Sequence, residues 1–166
     1  LADEKRSGTI ELLITMPVRD AEVVVGKFLG VLGLYGVLLL LTLPYPISIA
    51  TLGNLDWGPV FAGYFGALLL GAALLAVGVM ASSFTDDAMV ALFVAQAVAI
   101  FFFVLDKVLP LLPPYAAGFL EWLSFERHYD SMTRGVIDLR DVIFFLSIIL
   151  FSLGAAFRAL ESRRWR

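Results

Sequence analysis

Four long runs of apolar residues alternate with polar stretches along the 166-residue chain. A bilayer core about 30 Å thick requires roughly 20 consecutive, mostly apolar residues in a helix. Four runs reach this length, and they cover residues 23–43, 59–81, 88–109 and 142–160. The pattern therefore predicts an all-α, polytopic bundle with four transmembrane helices. A polar segment at residues 1–22 precedes the first helix, and another at residues 110–140 precedes the last.

Prolines and acidic residues mark the predicted helix ends. Pro44 and Pro46 follow the first run, and we expect the helix to stop there because proline lacks the backbone N–H that continues a helix. Asp87 precedes the third run, where a negative charge favours the start of a helix. Asp138 and Asp141 stand before the fourth run in the spacing of a capping box.

Composition excludes most soluble classes of protein. Hydrophobic residues make up 60% of the chain, charged residues 16%, and the mean hydropathy is +0.91. Soluble domains have close to half their residues apolar and about a quarter charged, so the sequence indicates an integral membrane protein. The net charge of −3 argues against nucleic-acid binding. The absence of cysteine excludes disulfides, thiolate metal sites and a cysteine nucleophile.

The basic residues predict an orientation. With four spans, both chain ends lie on the same side of the membrane, and eight of the twelve lysines and arginines are near those ends. The remaining four are Lys107, Arg127, Arg134 and Arg140. Because basic residues concentrate on the cytoplasmic side, we expect residues 1–22 and the C-terminus to be cytoplasmic and residues 110–140 to be extracytoplasmic.

Few polar side chains interrupt the predicted spans. Asp106 and Lys107 lie near the end of the third run, and two interpretations remain open: a pair at the membrane interface, or a translocation site or gate. His128 lies among charged residues, and we expect it to be a solvated interfacial side chain. The sequence offers no hydrolase or metalloprotease motif, so we expect no catalytic residue, metal site or cofactor site in this chain.

Small residues predict close helix packing in the second span. Gly63, Ala67 and Gly71 recur at four-residue spacing, which places them on one helix face, where small side chains let another helix approach. Gln96 lies midway through the third span and is a candidate interhelical hydrogen-bond donor.

A short amphipathic helix is predicted in the first polar segment, with Ser7 or Thr9 as the candidate cap and Pro17 at its end. The residues on or beside its apolar face are Ile10, Glu11, Leu13 and Ile14. Such a helix either lies on the membrane surface or docks into a groove of a soluble partner.

Two separated motifs resemble a known family. The string SGTIELLITMPV at residues 7–18, and the ending with HYDSMTRGVIDLRD at residues 128–141 and LESRRWR at residues 160–166, are similar to permeases of type-2 ABC exporters. The similarity is closest to the gliding-motility-associated subgroup. The resemblance implies six spans per permease, two permeases and two cytoplasmic ATPase subunits. It also implies that residues 7–17 form the coupling helix and residues 110–138 form re-entrant or interfacial helices on the outer side.

The resemblance implies a transport subunit in a bacterial or archaeal cytoplasmic membrane. The sequence contains no GxxxxGK[ST] phosphate loop, so ATP and Mg²⁺ are expected on a partner ATPase. The chain opens without a methionine, at Leu1, and with only four spans it is expected to be a fragment that lacks the first two. Two alternatives remain at this point: a structural membrane anchor or scaffold, and an intramembrane enzyme, which the apolar spans disfavour.

Overall fold

A computed structural model describes residue 2, residues 20–108, residues 111, 113 and 118, and residues 120–163. Within these residues the chain is all-α, without strands. The helices, in chain order, are α1 (Asp20–Leu41), α2 (Pro44–Leu52), α3 (Trp57–Phe84), α4 (Ala88–Val108), α5 (Phe125–Thr133) and α6 (Leu139–Arg163). The chain is a polytopic helix bundle, and α1, α3, α4 and α6 carry the four predicted spans.

The region after the first predicted span contains a helix that the sequence did not predict. Helix α1 stops at Leu41, and after a turn at residues 42–43 the chain becomes helical again at Pro44 as α2. The first helix therefore stops before Pro44 and Pro46, as predicted, but the start of a second helix at Pro44 was not predicted. Both prolines lie in the first turn of α2, where the backbone N–H groups have no acceptor within the helix, so their absence costs nothing.

Acidic caps are found at the starts of two spanning helices. Asp87 Oδ1 accepts a hydrogen bond from the backbone N–H of Met89 at 2.8 Å, and Asp138 Oδ1 accepts one from that of Arg140 at 3.0 Å. Both contacts satisfy donors that a helix leaves free in its first turn. Asp141, in contrast, makes different contacts, which are described below.

The described helices divide into two compact units. The first comprises Leu1–Leu32, Ala72–Ala99 and Ser147–Arg166. Its core contains one small cluster of aliphatic side chains from α1, α3 and α6: Val24, Val79, Met80, Leu153, Ala156 and Leu160. The alanines Ala73 and Ala76 of α3 are fully buried in this unit, as expected where small side chains let helices approach closely.

The second unit comprises Gly33–Gly71 and Ile100–Leu146, and its core is aromatic. Phe125 is fully buried and stacks on Phe102 of α4 with ring centroids 4.4 Å apart. Edge contacts join the same ring to Phe144 and Phe145 of α6. Aromatic pairs in these geometries contribute stability beyond the apolar area that they bury.

The spanning helices differ in how much of their apolar surface the chain itself covers. The most apolar window is 39% buried in α3 and 33% buried in α6, but only 11% buried in the first span and 6% buried in α4. Large side chains such as Leu92 and Phe93 of α4 are exposed. Exposed apolar surface of this extent is incompatible with water and fits a helix surrounded by lipid or by other helices.

Candidate functional site

Helix α5 is the element around which the second unit is organised. It is amphipathic, and its three buried residues, Phe125, His128 and Met132, lie on one face. Met132 packs on α3 at Gly66, where an added Cβ would lie only 2.8 Å from its sulfur. Phe125 contacts α4 and α6 as described above. A nine-residue helix thus meets three spanning helices through a single apolar face.

The start of α5 is held by two side-chain acceptors. Ser124 is its N-cap, and Ser124 Oγ accepts a hydrogen bond from the backbone N–H of Arg127 at 3.0 Å. Asp106, from the last turn of α4, accepts one from the backbone N–H of Glu126 through its Oδ2 atom at 3.1 Å. Carboxylates stabilise the N-terminus of a helix because they complement both its free donors and its dipole.

Lys107 reaches the same turn of α5 from the side. Its Nζ atom donates to both carboxylate oxygens of Glu126 at 2.8 Å, although both side chains remain largely exposed. The two residues that the sequence singled out as an interfacial pair or a gate, Asp106 and Lys107, therefore both contact Glu126. They link the end of α4 to the start of α5.

The end of α5 requires a glycine. Gly135 has a φ of +86°, and its N–H donates to the carbonyl of Met132 while the N–H of Val136 donates to that of Ser131. This is the Schellman arrangement, in which glycine adopts the left-handed conformation at no steric cost. A Cβ at Gly135 would also lie 3.1 Å from the backbone nitrogen of Pro59. The turn therefore brings the chain from α5 to α6 past the start of α3.

His128 is the clearest departure from the sequence-based expectation. It was expected to be solvated, but the structure buries it at 6% exposure, as it does Asp141. His128 Nδ1 lies 2.6 Å from Asp141 Oδ1, and the imidazole stacks on Phe144 with centroids 4.1 Å apart. A buried carboxylate is tolerated only when it is paired and hydrogen-bonded, so Asp141 draws His128 into the core.

Ser131 completes this cluster. Its hydroxyl donates to Asp141 Oδ2, so both carboxylate oxygens are satisfied by side chains of α5. His128 Nε2 faces the carbonyl oxygen of Trp122 at 3.2 Å. In a hydrolytic triad the imidazole would take the proton of the serine hydroxyl. Here the serine bonds to the carboxylate instead, so the arrangement joins helices and does not activate a nucleophile.

The predicted packing residues of α3 lie in the same unit. Tyr35 of α1 donates its hydroxyl to the carbonyl of Ala67 at 2.9 Å, and its ring occupies the space that a Cβ at Gly71 would need. Two of the three small residues thus border a contact with α1. A Cβ at Gly63 would meet nothing within 4 Å, because this glycine lines an open crevice between α1, α2, α3 and α5.

The predicted coupling residues, Thr9, Ile10, Glu11, Leu13, Ile14 and Pro17, lie outside the described residues. The site that the structure describes is therefore the second unit, in which α5 ties the ends of α4 and α6 to α3. The signal for this site was present in the sequence: Ser124 precedes residues 125, 128 and 132, which share one helical face.

A comparison with models of known protein families finds a match that covers nearly the whole chain. Residues 1–163 match the family model described as ABC-2 family transporter protein. No curated protein and no solved structure matches the chain.

Proposed function

This chain belongs to the ABC-2 family of transporter proteins and is a multi-pass membrane permease of an ABC transporter, and we propose that it exports its substrate with energy from ATP hydrolysed by a separate ATPase subunit. The observation that carries the proposal is the family match across residues 1–163. The two motifs that resemble gliding-motility-associated permeases support assignment to that subgroup.

The coupling step in this proposal is carried by residues 7–17. Their predicted apolar face, formed by Ile10, Leu13 and Ile14, suits a groove on a soluble partner. The chain contains no phosphate loop of the GxxxxGK[ST] type, which supports ATP binding on the partner. When that partner changes conformation, it favours one arrangement of the permease helices over another, as coupling requires.

We propose that both chain ends and residues 7–17 face the cytoplasm of a bacterial or archaeal cell. The distribution of basic residues supports this orientation. It would expose the predicted coupling segment to an ATPase and the turn between α5 and α6 to the opposite side.

A second permease copy is supported by the surface of α4. This helix is the least covered of the four spans, and Gln96, midway along it, is exposed. An amide in hydrocarbon lacks the hydrogen bonds that water would provide, and glutamine side chains in membranes pair across helix interfaces. We propose that Gln96 forms such a hydrogen bond with another permease.

Movement of α4 would reach α5 through Asp106 and Lys107. Because both side chains contact Glu126 at the start of α5, a shift of the end of α4 must either carry α5 with it or break these bonds. The proposed gate is this α4–α5 junction, and it opens when the permease helices repack.

Coupling is tested in the full-length permease co-expressed with its ATPase. In the Ile10→Ala, Leu13→Ala double variant we expect membrane insertion to persist, while the ATPase no longer copurifies or no longer responds to the permease. Each truncation removes about 1–3 kcal/mol of apolar contact if the side chain fills a groove. Thr15→Ala, on the opposite side of the predicted helix, is the matched control.

Three results decide between this proposal and its alternatives. Normal ATPase binding and normal coupling in the double variant would contradict the coupling role of residues 7–17. Weaker membrane association without a change in ATPase binding would favour a helix that rests on lipid. Failure of the wild-type permease to bind any ATPase made beside it would overturn the transport proposal and favour a membrane anchor.

A further inference from the structure

The second unit contains a crevice of about 440 Å³, within the range of small-molecule binding sites. Much of its wall is apolar and comes from several elements, including Leu39 of α1, Ile49 of α2 and Val60 of α3. Gly63 exposes bare backbone on the same wall. The crevice is open where α2 leaves Tyr45 and Ile49 exposed.

Hydroxyl groups supply the polar part of the lining. Thr42 Oγ1 and Tyr64 OH form a hydrogen bond of 2.8 Å, and Tyr45, Tyr129 and Thr133 contribute three further hydroxyls. Thr42 Oγ1 also donates to the carbonyl of Leu39 at 2.7 Å, so Tyr64 is the donor within the pair, and both hydroxyls offer a ligand acceptor lone pairs. Among the described residues that line the crevice, none carries a formal charge.

Apolar walls together with uncharged hydroxyl groups favour one chemical class of ligand. Apolar walls accommodate a hydrocarbon chain because they offer it the same dispersion contacts that it makes with lipid tails in the bilayer. The hydroxyl oxygens of the Thr42–Tyr64 pair complement a ligand hydroxyl, which can donate a hydrogen bond to them. A charged headgroup would lose its hydration without gaining an opposite charge, which is unfavourable.

We propose that the crevice binds an uncharged amphiphile, with a hydrocarbon chain along Ile49 and Val60 and a hydroxyl group that donates to the Thr42–Tyr64 pair, and that molecules of this class are the substrate of the permease. The second half of the inference rests on the transport function proposed above. The ligand enters from the bilayer through the opening beside α2.

Gly63 gives a precise way to close the crevice. A Cβ there meets nothing within 4 Å, and the glycine lines the crevice, so we expect a leucine at this position to extend into the crevice. Gly78 lies on the same helix, where a Cβ would likewise meet nothing within 4 Å, and it does not line the crevice. The variants Gly63→Leu and Gly78→Leu therefore make the same change to α3, but only the first fills the binding site.

The binding test uses the full-length permease in lipid nanodiscs and a diacylglycerol that carries a photoreactive diazirine on one acyl chain. We expect photolabelling of peptides that contain Tyr45 and Tyr129. Gly63→Leu should reduce the labelling roughly tenfold, equivalent to about 1.4 kcal/mol, while Gly78→Leu leaves it unchanged. Phosphatidic acid with the same chains should label these peptides weakly, because it adds a charge.

The substrate test adds the same diacylglycerol to the permease–ATPase complex. We expect it to change the ATPase rate of the wild type and of Gly78→Leu, but not of Gly63→Leu. Labelling that is insensitive to Gly63→Leu, or equally strong with phosphatidic acid, would overturn the proposed site. Sensitive labelling without any ATPase response would identify a resident lipid and overturn the substrate assignment.

The failure of this inference is separable from that of the proposed function. Photolabelling requires no ATPase, so it tests the crevice even if coupling fails. Conversely, the Ile10→Ala, Leu13→Ala variant tests coupling without any ligand in the crevice.

Discussion

The Nδ1 atom of His128 in α5 lies 2.6 Å from the Oδ1 atom of Asp141 in α6, and both side chains are buried. The carboxylate also accepts a hydrogen bond from Ser131. These contacts fix the amphipathic helix to the first turn of the last spanning helix. Since Phe125 of the same helix packs against α4 and α6, the pair stabilises the whole junction and not α5 alone.

Removal of the imidazole should weaken this junction strongly. In His128→Leu the Asp141 carboxylate remains buried with Ser131 as its only side-chain partner among the described residues, and breaking a buried pair in this way costs about 3–5 kcal/mol. We expect a lower midpoint of thermal unfolding in detergent and faster amide hydrogen exchange throughout α5. Ser131→Ala, which removes a hydrogen bond to the same carboxylate, should cost less, about 1.5–3 kcal/mol.

Comparing the stabilities of these two variants can contradict the proposed role of the His128–Asp141 pair. If His128→Leu and Ser131→Ala destabilised the permease equally, the His128–Asp141 pair would not be the main link between α5 and α6. A His128→Leu, Asp141→Leu double variant adds a check. It removes the buried charge together with its partner, so it should recover part of the stability that His128→Leu loses.

The spans could be predicted from the sequence because runs of about 20 apolar residues suffice for that inference and require no knowledge of neighbours. Whether a single polar residue is buried or exposed could not be predicted in the same way. His128 stands beside Arg127 and Tyr129, and this local context indicates solvent; its partner Asp141 is 13 positions away and looked like a cap. Only the packing of α5 onto α6 turns both residues inward.

The helix boundaries near Pro44 were predicted only in part. Pro44 correctly marked the end of α1, but the same residue begins α2, because proline is compatible with the first turn of a helix and not with its interior. The sequence does not distinguish a helix that ends from one that ends and restarts after two residues. The crevice depends on this restart, since α2 supplies Tyr45 and Ile49.

A methyl group added at Gly71 should disturb the contact between α1 and α3. The Cβ of Gly71→Ala would overlap the ring of Tyr35, which the hydrogen bond to the Ala67 carbonyl holds in position. We expect a loss of about 1–3 kcal/mol from overpacking, measured as a lower unfolding midpoint. Gly63→Ala is the control, because its Cβ meets nothing and alanine favours the helix.

A second substitution identifies the cause of that loss. In a Tyr35→Ala background the ring is absent, so Gly71→Ala should cost much less than it does in the wild type. An unchanged cost would mean that Gly71 is needed for a reason other than its contact with Tyr35.

Asp106 and Lys107 should differ in their effect on α5 although both contact Glu126. Asp106→Ala removes the acceptor for the Glu126 backbone N–H, a hydrogen bond to a charged group worth about 1.5–3 kcal/mol. Lys107→Ala removes an exposed ion pair, and such pairs contribute little because water and salt screen them. Hydrogen exchange at the first turn of α5 should therefore accelerate in Asp106→Ala and barely change in Lys107→Ala.

The conservative variant Asp106→Asn separates charge from hydrogen bonding. Its amide oxygen can still accept from the Glu126 N–H, so exchange should stay closer to that of the wild type than in Asp106→Ala. Equal acceleration in both Asp106 variants would show that the negative charge at the start of α5, and not the hydrogen bond, stabilises this turn.

Cysteine labelling should report the orientation of the permease without background, because the chain has no cysteine. Val136, in the turn between α5 and α6, is 60% exposed, and Ser162 lies exposed at the end of α6. In intact cells a membrane-impermeant maleimide should modify Val136→Cys and spare Ser162→Cys, and permeabilised cells should show modification of both. The physical reason is the eight basic residues near the chain ends, which favour the cytoplasmic side. The reverse pattern would place residues 7–17 outside the cell, where no ATPase could reach them, and would contradict the proposed coupling together with the orientation.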